Sequence, residues 1–253
     1  MLTQENDETY DLTHQTLEFC RHIAGTSKIA ALALVDNYSM KTSNERTIHE
    51  VILVIHDFQP RLMSYLKTVK NKTIFVFAVD QWIFERDIDR GFLGEALASK
   101  LIFPHLPLFG NDYLHEKEVS LKKRLILELL ENLVVNFPEL VQSIQIKPQY
   151  FMYEVFSNRI RVFPLIAYDV ANLTSCLLQN EESAMASYNE ALKKLEAEEK
   201  ISSQNGYLTI TKKFISQCQD PRIKIINLSK NMPRTLFTSI FGVLPQLMNI
   251  ASQ

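Results

Sequence analysis

The sequence predicts an α+β protein in which a small domain with a mixed β-sheet is followed by a mainly helical region and then by a module that ends in a β-hairpin. Three observations lead to this prediction. Three nearly continuous apolar runs lie between residues 28 and 79, which is typical of strands covered on one or both faces. From Glu118 onward, leucines recur at the spacing of a helix. Asn205-Gly206 stands between two apolar runs and indicates a tight hairpin.

The first domain is predicted to cover residues 1–118 and to begin with a helix over residues 8–24, which Gly25 ends. The three apolar runs that follow have no regular polar alternation, so each is expected to be largely buried. They predict three strands of one mixed sheet against that helix, at Lys28–Val35, Glu50–Ile55 and Thr73–Val79.

Two further helices are predicted in this domain. Gln59–Val69 is interpreted as a helix between the second and third strands, with Pro60 in the first turn, where proline is tolerated. Another helix is expected from about Arg90 to Leu101. The predicted order is therefore α-β-β-α-β, followed by a helix.

A helical region is predicted over residues 119–180. Its long first helix should stop near Pro138, because proline breaks a helix interior. A second helix is expected at about residues 168–178. On this long helix, Lys122-Lys123-Arg124 is interpreted as a solvated face.

The last part of the chain is predicted to contain a module over residues 181–230 and a tail over residues 231–253. In the module, a helix over about 184–199 precedes a hairpin whose strands are residues 201 and 207–211. The tail has no charged residue from position 235 onward, so it is expected to be either a docking helix or the start of a further domain.

Composition limits the function classes that remain open. The chain has 253 residues, 46% of them hydrophobic and 22% charged, with a formal net charge of −2. This balance is typical of a soluble globular protein and excludes a polybasic, histone-like one. The three cysteines form no CxxC pair, which favours a reducing compartment, and the acidic start is unlike a signal peptide. A cytoplasmic protein that does not bind membranes is expected.

Glycine usage excludes the common nucleotide-binding motifs. The chain has six glycines, and none lies between Gly25 and Gly91, where a dinucleotide fold or a P-loop would place its phosphate-binding glycines. Neither GxGxxG nor GxxxxGK[ST] occurs in the sequence. A kinase, a P-loop ATPase and a dehydrogenase with a dinucleotide-binding fold are therefore not expected.

The order of elements over about residues 8–118 resembles the nucleotidyltransferase superfamily, which has the fold of DNA polymerase β. In that family the first strand ends in a Gly-Ser turn, and the second strand carries Asp-x-Asp. Here Asp36-Asn37 replaces the Gly-Ser pair in ALALVDNYS. In HEVILVI, Glu50 falls on the first family carboxylate and Ile52 on the second. Asp80, after TIFVFAV, is a candidate for the third carboxylate.

The resemblance implies phosphoryl transfer by two divalent metals, for which hard oxygen ligands are required. Isoleucine supplies no ligand, and Asp36 places a negative charge where the family brings backbone N–H groups to a triphosphate. We therefore expect a degenerate site with no catalytic residue, no metal and no cofactor. The alternative is an active nucleotidyltransferase that rebuilt an Mg²⁺ site from Glu50, Asp36 and Asp80.

A helix followed at once by a hairpin resembles the end of a winged-helix module, which implies binding of a protein or of nucleic acid. The segment 206–253 has six basic residues and one acidic residue, whereas the preceding helix is acidic over much of its length, which disfavours base reading. A second basic stretch, Asn158–Arg161, is interpreted as an amphipathic strand. The candidate binding residues are Lys212, Lys213, Arg222, Lys224, Arg159 and Arg161.

Taken together, these patterns predict a binding or regulatory protein with a protein partner. Nucleic acid is the alternative partner, through the wing and the basic segment after it. A scaffold, or the N-terminal regulatory part of a larger enzyme, is a further alternative suggested by the uncharged tail.

Overall fold

Two apolar strands of the N-terminal region pair in parallel and form the centre of a mixed β-sheet. The computed structural model describes residues 2–35, 40–41, 47–69, 72–162 and 184–219. The chain divides into two compact units, one formed by Met1–Ile126 with Lys147–Lys194, the other by Leu127–Ile146 with Leu195–Gln253.

The first unit contains a six-stranded sheet. Its strands are β1 (Ile29–Leu34), β2 (Met40–Lys41), β3 (Thr47–Ile55), β4 (Leu62–Val69), β5 (Lys72–Asp80) and β6 (Leu106–Phe109). The order across the sheet is β4-β5-β3-β1-β6, with β2 paired to β3 outside this path. The β3–β5 pair is parallel and the other pairs are antiparallel. The predicted mixed sheet with its three apolar strands is confirmed.

Helix α1 (Leu2–Ala24) packs on one face of this sheet. Its Cys20 and Ala24 belong to a buried cluster with alternate residues of β3 and β5, such as Val51 and Val76. Alternate residues of a strand point to the same face, so the near-continuous apolar strands supply a second buried face as well. This arrangement confirms the expected packing of the first helix against the strands.

The predicted helix over Gln59–Val69 is wrong, because Leu62–Val69 within this segment forms strand β4. The strand pairs with β5 along its whole length, from Leu62 opposite Val79 to Val69 opposite Lys72. This pairing satisfies backbone groups that a helix would otherwise satisfy internally.

The helix expected from Arg90 to Leu101 lies earlier in the chain. Helix α2 covers Gln81–Arg90 and begins where the Asp80 carboxylate accepts the Trp82 N–H. It ends at Gly91, whose φ of 62° allows the left-handed conformation that closes the helix. A short 3₁₀ helix follows at Ala98–Ile102.

Between these two helices, a buried carboxylate organises the backbone. The Asp87 carboxylate accepts hydrogen bonds from four backbone N–H groups, those of Leu93 (2.7 Å), Glu95 (3.0 Å), Leu97 (3.2 Å) and Ala98 (2.9 Å). Such a cage fixes a stretch of chain that has no regular structure of its own.

Three long helices follow. Helix α3 (Asn111–Asn136) ends just before Pro138, as predicted, although it begins earlier than expected. Helix α4 (Pro148–Val162) contains Asn158–Arg161, so the amphipathic strand predicted there is wrong. The reason is the burial of Phe151, Met152, Val155 and Phe156, which form one helical face. Residues 184–197 form helix α5. The helix expected at 168–178 lies outside the described residues.

The second unit contains the predicted hairpin. Strands β7 (Ile201–Gln204) and β8 (Tyr207–Ile210) are antiparallel and are joined by Asn205 and Gly206. Both turn residues have positive φ, 52° and 78°, which is the geometry of a type I′ turn. Leu208 also exchanges two backbone hydrogen bonds with Ile146, at 2.8 and 2.9 Å. The hairpin and the helix before it are therefore confirmed.

Helix α6 (Lys212–Gln219) closes the described part of this unit. Thr211 caps it, because its hydroxyl accepts the Phe214 N–H at 3.2 Å and donates to the Glu199 carbonyl at 2.6 Å. Within the described residues, none of the helices is both long and apolar enough to span a membrane. The tail over residues 231–253 lies outside those residues.

Candidate functional site

Glu50 and Ile52 of β3, the two positions where the suggested resemblance expects carboxylates, lie on the same face of the sheet, as their spacing of two residues requires. At the second position, Ile52 is completely buried. At the first, Glu50 is half-buried, and its carboxylate forms an ion pair with the ammonium of Lys100 from the 3₁₀ helix. The carboxylate at the first position is therefore paired with a cation of the same chain, and the second position holds an apolar side chain that cannot bind a metal.

The carboxylates of Asp80 and Glu50 do not lie close enough to share a metal ion. In the parallel register of β3 and β5, Asp80 lies beside Ile55, whereas Glu50 lies beside Phe75. Five strand residues at about 3.3 Å each separate the two carboxylates by about 16 Å along the sheet. Asp36, the third residue of the rebuilt site that the sequence suggested, lies with Asn37 outside the described residues. The structure thus separates the two members of that set whose positions it describes.

Asp80 instead organises the ends of the parallel strands. Its carboxylate accepts the Phe58 N–H at 2.9 Å and the Trp82 N–H at 3.1 Å, and it pairs with the Arg61 guanidinium at 3.3 Å. The side chain is buried, so these bonds fix the loop after β3 to the start of α2. The sequence pointed to Asp80 for metal binding, and the structure shows it in hydrogen bonds to the backbone and an ion pair.

An open cleft of about 500 Å³ lies at these strand ends. Ligands of sheets with parallel strands commonly bind outside the carboxyl ends of those strands. The cleft is formed by the loop after β3, by the end of β5 and by the first turns of α2. Its lining residues are His56, Asp57, Arg61, Asp80, Gln81, Trp82, Ile83 and Glu85.

The loop that forms one wall of the cleft is strained. Asp57 has a φ of 51° and Arg61 a φ of 80°, values that are uncommon for residues other than glycine. Backbone hydrogen bonds hold this conformation: the Arg61 N–H donates to the Phe58 carbonyl at 3.0 Å, and the Asp80 N–H donates to the Arg61 carbonyl at 2.7 Å. Strain of this kind costs about 1–3 kcal/mol per residue and concentrates at functional sites.

Two exposed aromatic rings lie beside the cleft. Trp82 is 50% exposed and Phe92 is 54% exposed, and their ring centroids lie 6.1 Å apart, edge to face. The Arg86 guanidinium lies 5.2 Å from the centroid of the Trp82 ring. We call Trp82, Arg86 and Phe92 the aromatic patch. Tryptophan and arginine are enriched among residues that dominate binding energy at protein interfaces.

The cleft is acidic. Its described lining includes the carboxylates of Asp57, Asp80 and Glu85 and one guanidinium, that of Arg61. Burial raises the pKa of Glu85, but hydrogen bonds and the charge of Lys117 outweigh burial and hold the pKa below its usual range. The Glu85 carboxylate is therefore ionised at neutral pH. The ammonium of Lys117 lies 3.2 Å from the Glu85 carboxylate and Arg61 pairs with Asp80, so the cleft offers a triphosphate no excess of positive charge.

A buried ionic cluster lies elsewhere in the first unit. The carboxylate of Glu95 pairs with the guanidinium of Arg124 at 2.9 Å and also with that of Arg159. Arg159 is 9% exposed, so its assignment as a binding residue on an amphipathic strand is replaced by an internal ion pair. The backbone position of Arg161 is helical, and its side chain lies outside the described part of the chain.

Lys122 is also buried, so the interpretation of Lys122-Lys123-Arg124 as a solvated face is wrong. Its ammonium donates to the Glu118 carboxylate at 2.6 Å and to the Ser187 hydroxyl at 2.6 Å, and it lies 4.6 Å from the centroid of the Tyr188 ring. Sequence reasoning missed this cluster. The available signal was the position of Lys122 four residues before Ile126, at the edge of the apolar stripe of α3.

A smaller cavity of about 190 Å³ adjoins this cluster. Its lining includes His105, His115, Glu118, Lys122 and Ser187. The Ser187 hydroxyl donates to the Glu118 carboxylate at 2.7 Å, while Lys122 donates to both groups. The ammonium thus has two hydrogen-bond acceptors and the Tyr188 ring beside it, and the cluster stabilises the packing of α3 against α5.

The basic residues predicted for the C-terminal module are only partly described. Lys212 is exposed on α6, and Lys213 forms an ion pair with Glu199. Arg222 and Lys224 lie outside the described residues. Within the described part of residues 195–219, three lysines are balanced by three glutamates, namely Lys200, Lys212 and Lys213 against Glu196, Glu198 and Glu199. This balance gives nucleic acid no local attraction there.

Neither the family models nor the curated proteins searched include a match to this chain.

Proposed function

We propose that this chain is a non-catalytic binding or regulatory protein built on a degenerate nucleotidyltransferase-like domain, with the acidic cleft and the aromatic patch as its recognition site. The proposal rests on the state of Glu50 and Ile52, the two positions where the nucleotidyltransferase family has carboxylates. Ile52 is completely buried and supplies no ligand, and the carboxylate of Glu50 forms an ion pair with the ammonium of Lys100. A two-metal site needs several free oxygen ligands within a few ångströms of each other.

The alternative, an active enzyme with a rebuilt metal site, has less support. Such a site would need the carboxylates of Asp80 and Glu50 close together, whereas the strand register separates them. The Asp80 carboxylate is also already bonded to two backbone N–H groups and to the Arg61 guanidinium. A nucleotide in the cleft would also lack the excess of positive charge that phosphate groups require.

The chemistry of the cleft favours a protein partner. The aromatic patch offers apolar contact area, and the exposed Asp57 in the lining of the cleft offers a carboxylate acceptor for a cation. A segment that presents an apolar side chain to Trp82 and Phe92, with a lysine or arginine beside it, would satisfy both. The strained loop makes the cleft preformed, which reduces the ordering cost of binding.

Two measurements test this proposal. Labelled ATP, CTP, GTP and UTP are incubated with the chain, Mg²⁺ or Mn²⁺ and protein or RNA acceptors, and we expect no label transfer. Transfer that is lost in Glu50→Gln would overturn the non-catalytic assignment. Trp82 is the only tryptophan of the chain, so its fluorescence reports directly on the cleft. Titration with nucleotides and Mg²⁺ should leave the emission unchanged.

The recognition site is tested with an array of basic and apolar 15-residue peptides. Peptides that bind should combine arginine or lysine with a large apolar residue, and Trp82→Ala should weaken them by at least tenfold. Phe109→Ala is the matched control, because Phe109 is a similarly exposed aromatic residue on β6, away from the cleft. Equal loss of binding in both variants, or a preference for acidic peptides, would contradict the proposed site.

A further inference from the structure

The two edges of the sheet are built differently. Edge strand β6 has only four residues and contains Pro107, which cannot donate a backbone hydrogen bond. Edge strand β4 has eight residues without proline, and no acidic residue stands among them. Proteins usually protect a long edge with charges, prolines or bulges, since its unpaired N–H and C=O groups can pair with another strand. By these criteria β6 is protected and β4 is open.

The single charge on β4 does not protect it. The ammonium of Lys67 lies 5.2 Å from the centroid of the Phe19 ring of α1, so this side chain covers the helix on one face of the sheet. Within the part of the chain that the structure describes, β5 is the strand that pairs with β4, and the other side of β4 has no pairing strand.

Apolar side chains are exposed along this open edge. Leu66 is 64% exposed, and Leu62 and Met63 are also exposed. Leu62 and Leu66 point to one face of the sheet, and Met63 and Tyr65 to the other. Residues 62–66 therefore form an uncharged segment with large apolar side chains on both faces.

We propose that β4 pairs antiparallel with β4 of a second copy, so that two sheets join across a two-fold axis. Such an axis, perpendicular to the sheet, places matching faces side by side. With the axis at Ser64, each Leu62 lies opposite Leu66 of the second copy, and each Met63 lies opposite Tyr65. The segment is thus complementary to itself, which argues for a second copy as its partner.

The nearest charges are compatible with this register. Arg61, which directly precedes β4, would come near Lys67 of the second copy, and like charges placed close together repel each other. The guanidinium of Arg61 is, however, paired with the Asp80 carboxylate, and Lys67 is directed toward Phe19. Both cations are held by groups of their own chain, and the segment between them is uncharged and has no pairing strand on its outer side among the described residues.

Sedimentation velocity over a range of concentrations tests the dimer. The wild-type chain should shift from monomer to dimer as its concentration rises, and Leu66→Lys should remain monomeric. Leu106→Lys is the matched control, because Leu106 is an exposed leucine (45%) on the opposite edge strand, and this variant should dimerise like the wild type. Circular dichroism checks that both variants are folded. A wild-type chain that stays monomeric, or equal loss of dimer in both variants, would overturn the proposal.

The register is tested by disulfide cross-linking. Ser64→Cys places two cysteines opposite each other at the axis, within the distance that a disulfide can bridge, and mild oxidation should trap the dimer. Thr68→Cys is the control. Its two cysteines would lie eight residues apart along the paired strands, about 26 Å at about 3.3 Å per residue, and should not cross-link. Equal cross-linking of both variants would indicate random collision and overturn the register.

Discussion

The ammonium of Lys122 lies 2.6 Å from the carboxylate of Glu118, one turn earlier on α3, and both groups are largely withdrawn from water. Burial lowers the pKa of Lys122, and the charge of Glu118 opposes this effect. Each group therefore depends on the other for its charged state inside the protein.

Removing the carboxylate should cost more than removing the ammonium. Glu118→Gln leaves a buried cation without a counter-charge, for which the expected loss in the free energy of unfolding is about 3–5 kcal/mol. Lys122→Met leaves a carboxylate whose side chain is 14% exposed, against 2% for that of Lys122, so water can solvate it better and its cost should be lower. Urea unfolding of both variants and of the double variant measures this. Additive losses in the double variant would show that the pair is not coupled.

The same pair predicts a dependence on pH. Burial raises the pKa of Glu118, but the charge of Lys122 and hydrogen bonds from Lys122 and Ser187 outweigh burial and lower the pKa below its usual value of 4.5. A carboxyl group with a lowered pKa stabilises the folded state above 4.5, and this contribution is lost as the pH falls through the folded-state pKa. The stability gap between wild type and Glu118→Gln should be constant from pH 5 to 7 and narrow below pH 4.5. A gap that widens in acid would contradict this.

The Asp87 cage should be sensitive to loss of one oxygen. Asp87→Asn keeps the shape of the side chain but presents an amide NH₂ to two of the four backbone N–H donors. Hydrogen bonds to a charged group contribute about 1.5–3 kcal/mol each, so the loss should be about 3 kcal/mol or more. Chemical unfolding measures it, with Asp112→Asn, an exposed aspartate of α3, as the control. Equal stability of the two variants would show that the cage is not needed.

The hairpin turn requires positive φ at Gly206. Gly206→Val should destabilise the second unit by about 1–3 kcal/mol, because a β-branched residue is strained at a φ of 78°. Gly206→Asn should be tolerated, because asparagine adopts this conformation readily, and a Cβ at this position meets no neighbouring atom within 4 Å. Hydrogen exchange of the amides in Ile201–Ile210 distinguishes the variants. Equal protection in the two variants would argue against strain at the turn.

Two cysteines should resist alkylation in the folded chain. Burial raises the pKa of Cys20 to about 12. Burial also raises the pKa of Cys218 to about 11, with the charge of Glu131 adding to the shift and that of Lys200 opposing it. At pH 8 the thiolate fraction of Cys20 is then about one in ten thousand. Iodoacetamide should modify both residues only after denaturation, as read by peptide mass spectrometry. Rapid labelling of the native chain would contradict the burial.

The sequence correctly predicted those strands whose residues are apolar almost without interruption, because such short runs fit a buried strand better than an amphipathic helix. β1, β3 and β5 are nearly continuous apolar runs, and each of them lies between two other strands of the sheet. The segment that forms β4 fits a helix as well as a strand, because Leu62, Leu66 and Val69 have helical spacing and Pro60 suits a first helical turn. Its identity is decided by pairing with β5, a tertiary interaction that a local pattern does not contain.

The candidate site shows the same division. Ile52 and Glu50 could be placed on one strand face from their spacing alone. The ion pair of Glu50 with Lys100 joins residues fifty positions apart, and no periodicity reveals it. Arg159 looked like a surface cation because it alternates with apolar residues, yet the buried Glu95 binds it. The cleft likewise depends on the parallel register that brings the ends of β3 and β5 together.

The position of β6 has a consequence for synthesis of the chain on the ribosome. β1 lies between β3 and β6, and its Leu32 pairs with Phe109, so one side of β1 stays uncovered until the ribosome has released the chain through β6. Contacts between residues so distant in sequence form slowly, and an uncovered apolar strand attracts other chains in the meantime. A nascent chain stalled before Leu106 would therefore leave one edge of β1 unpaired, whereas a chain released beyond Gly110 could pair that edge with β6.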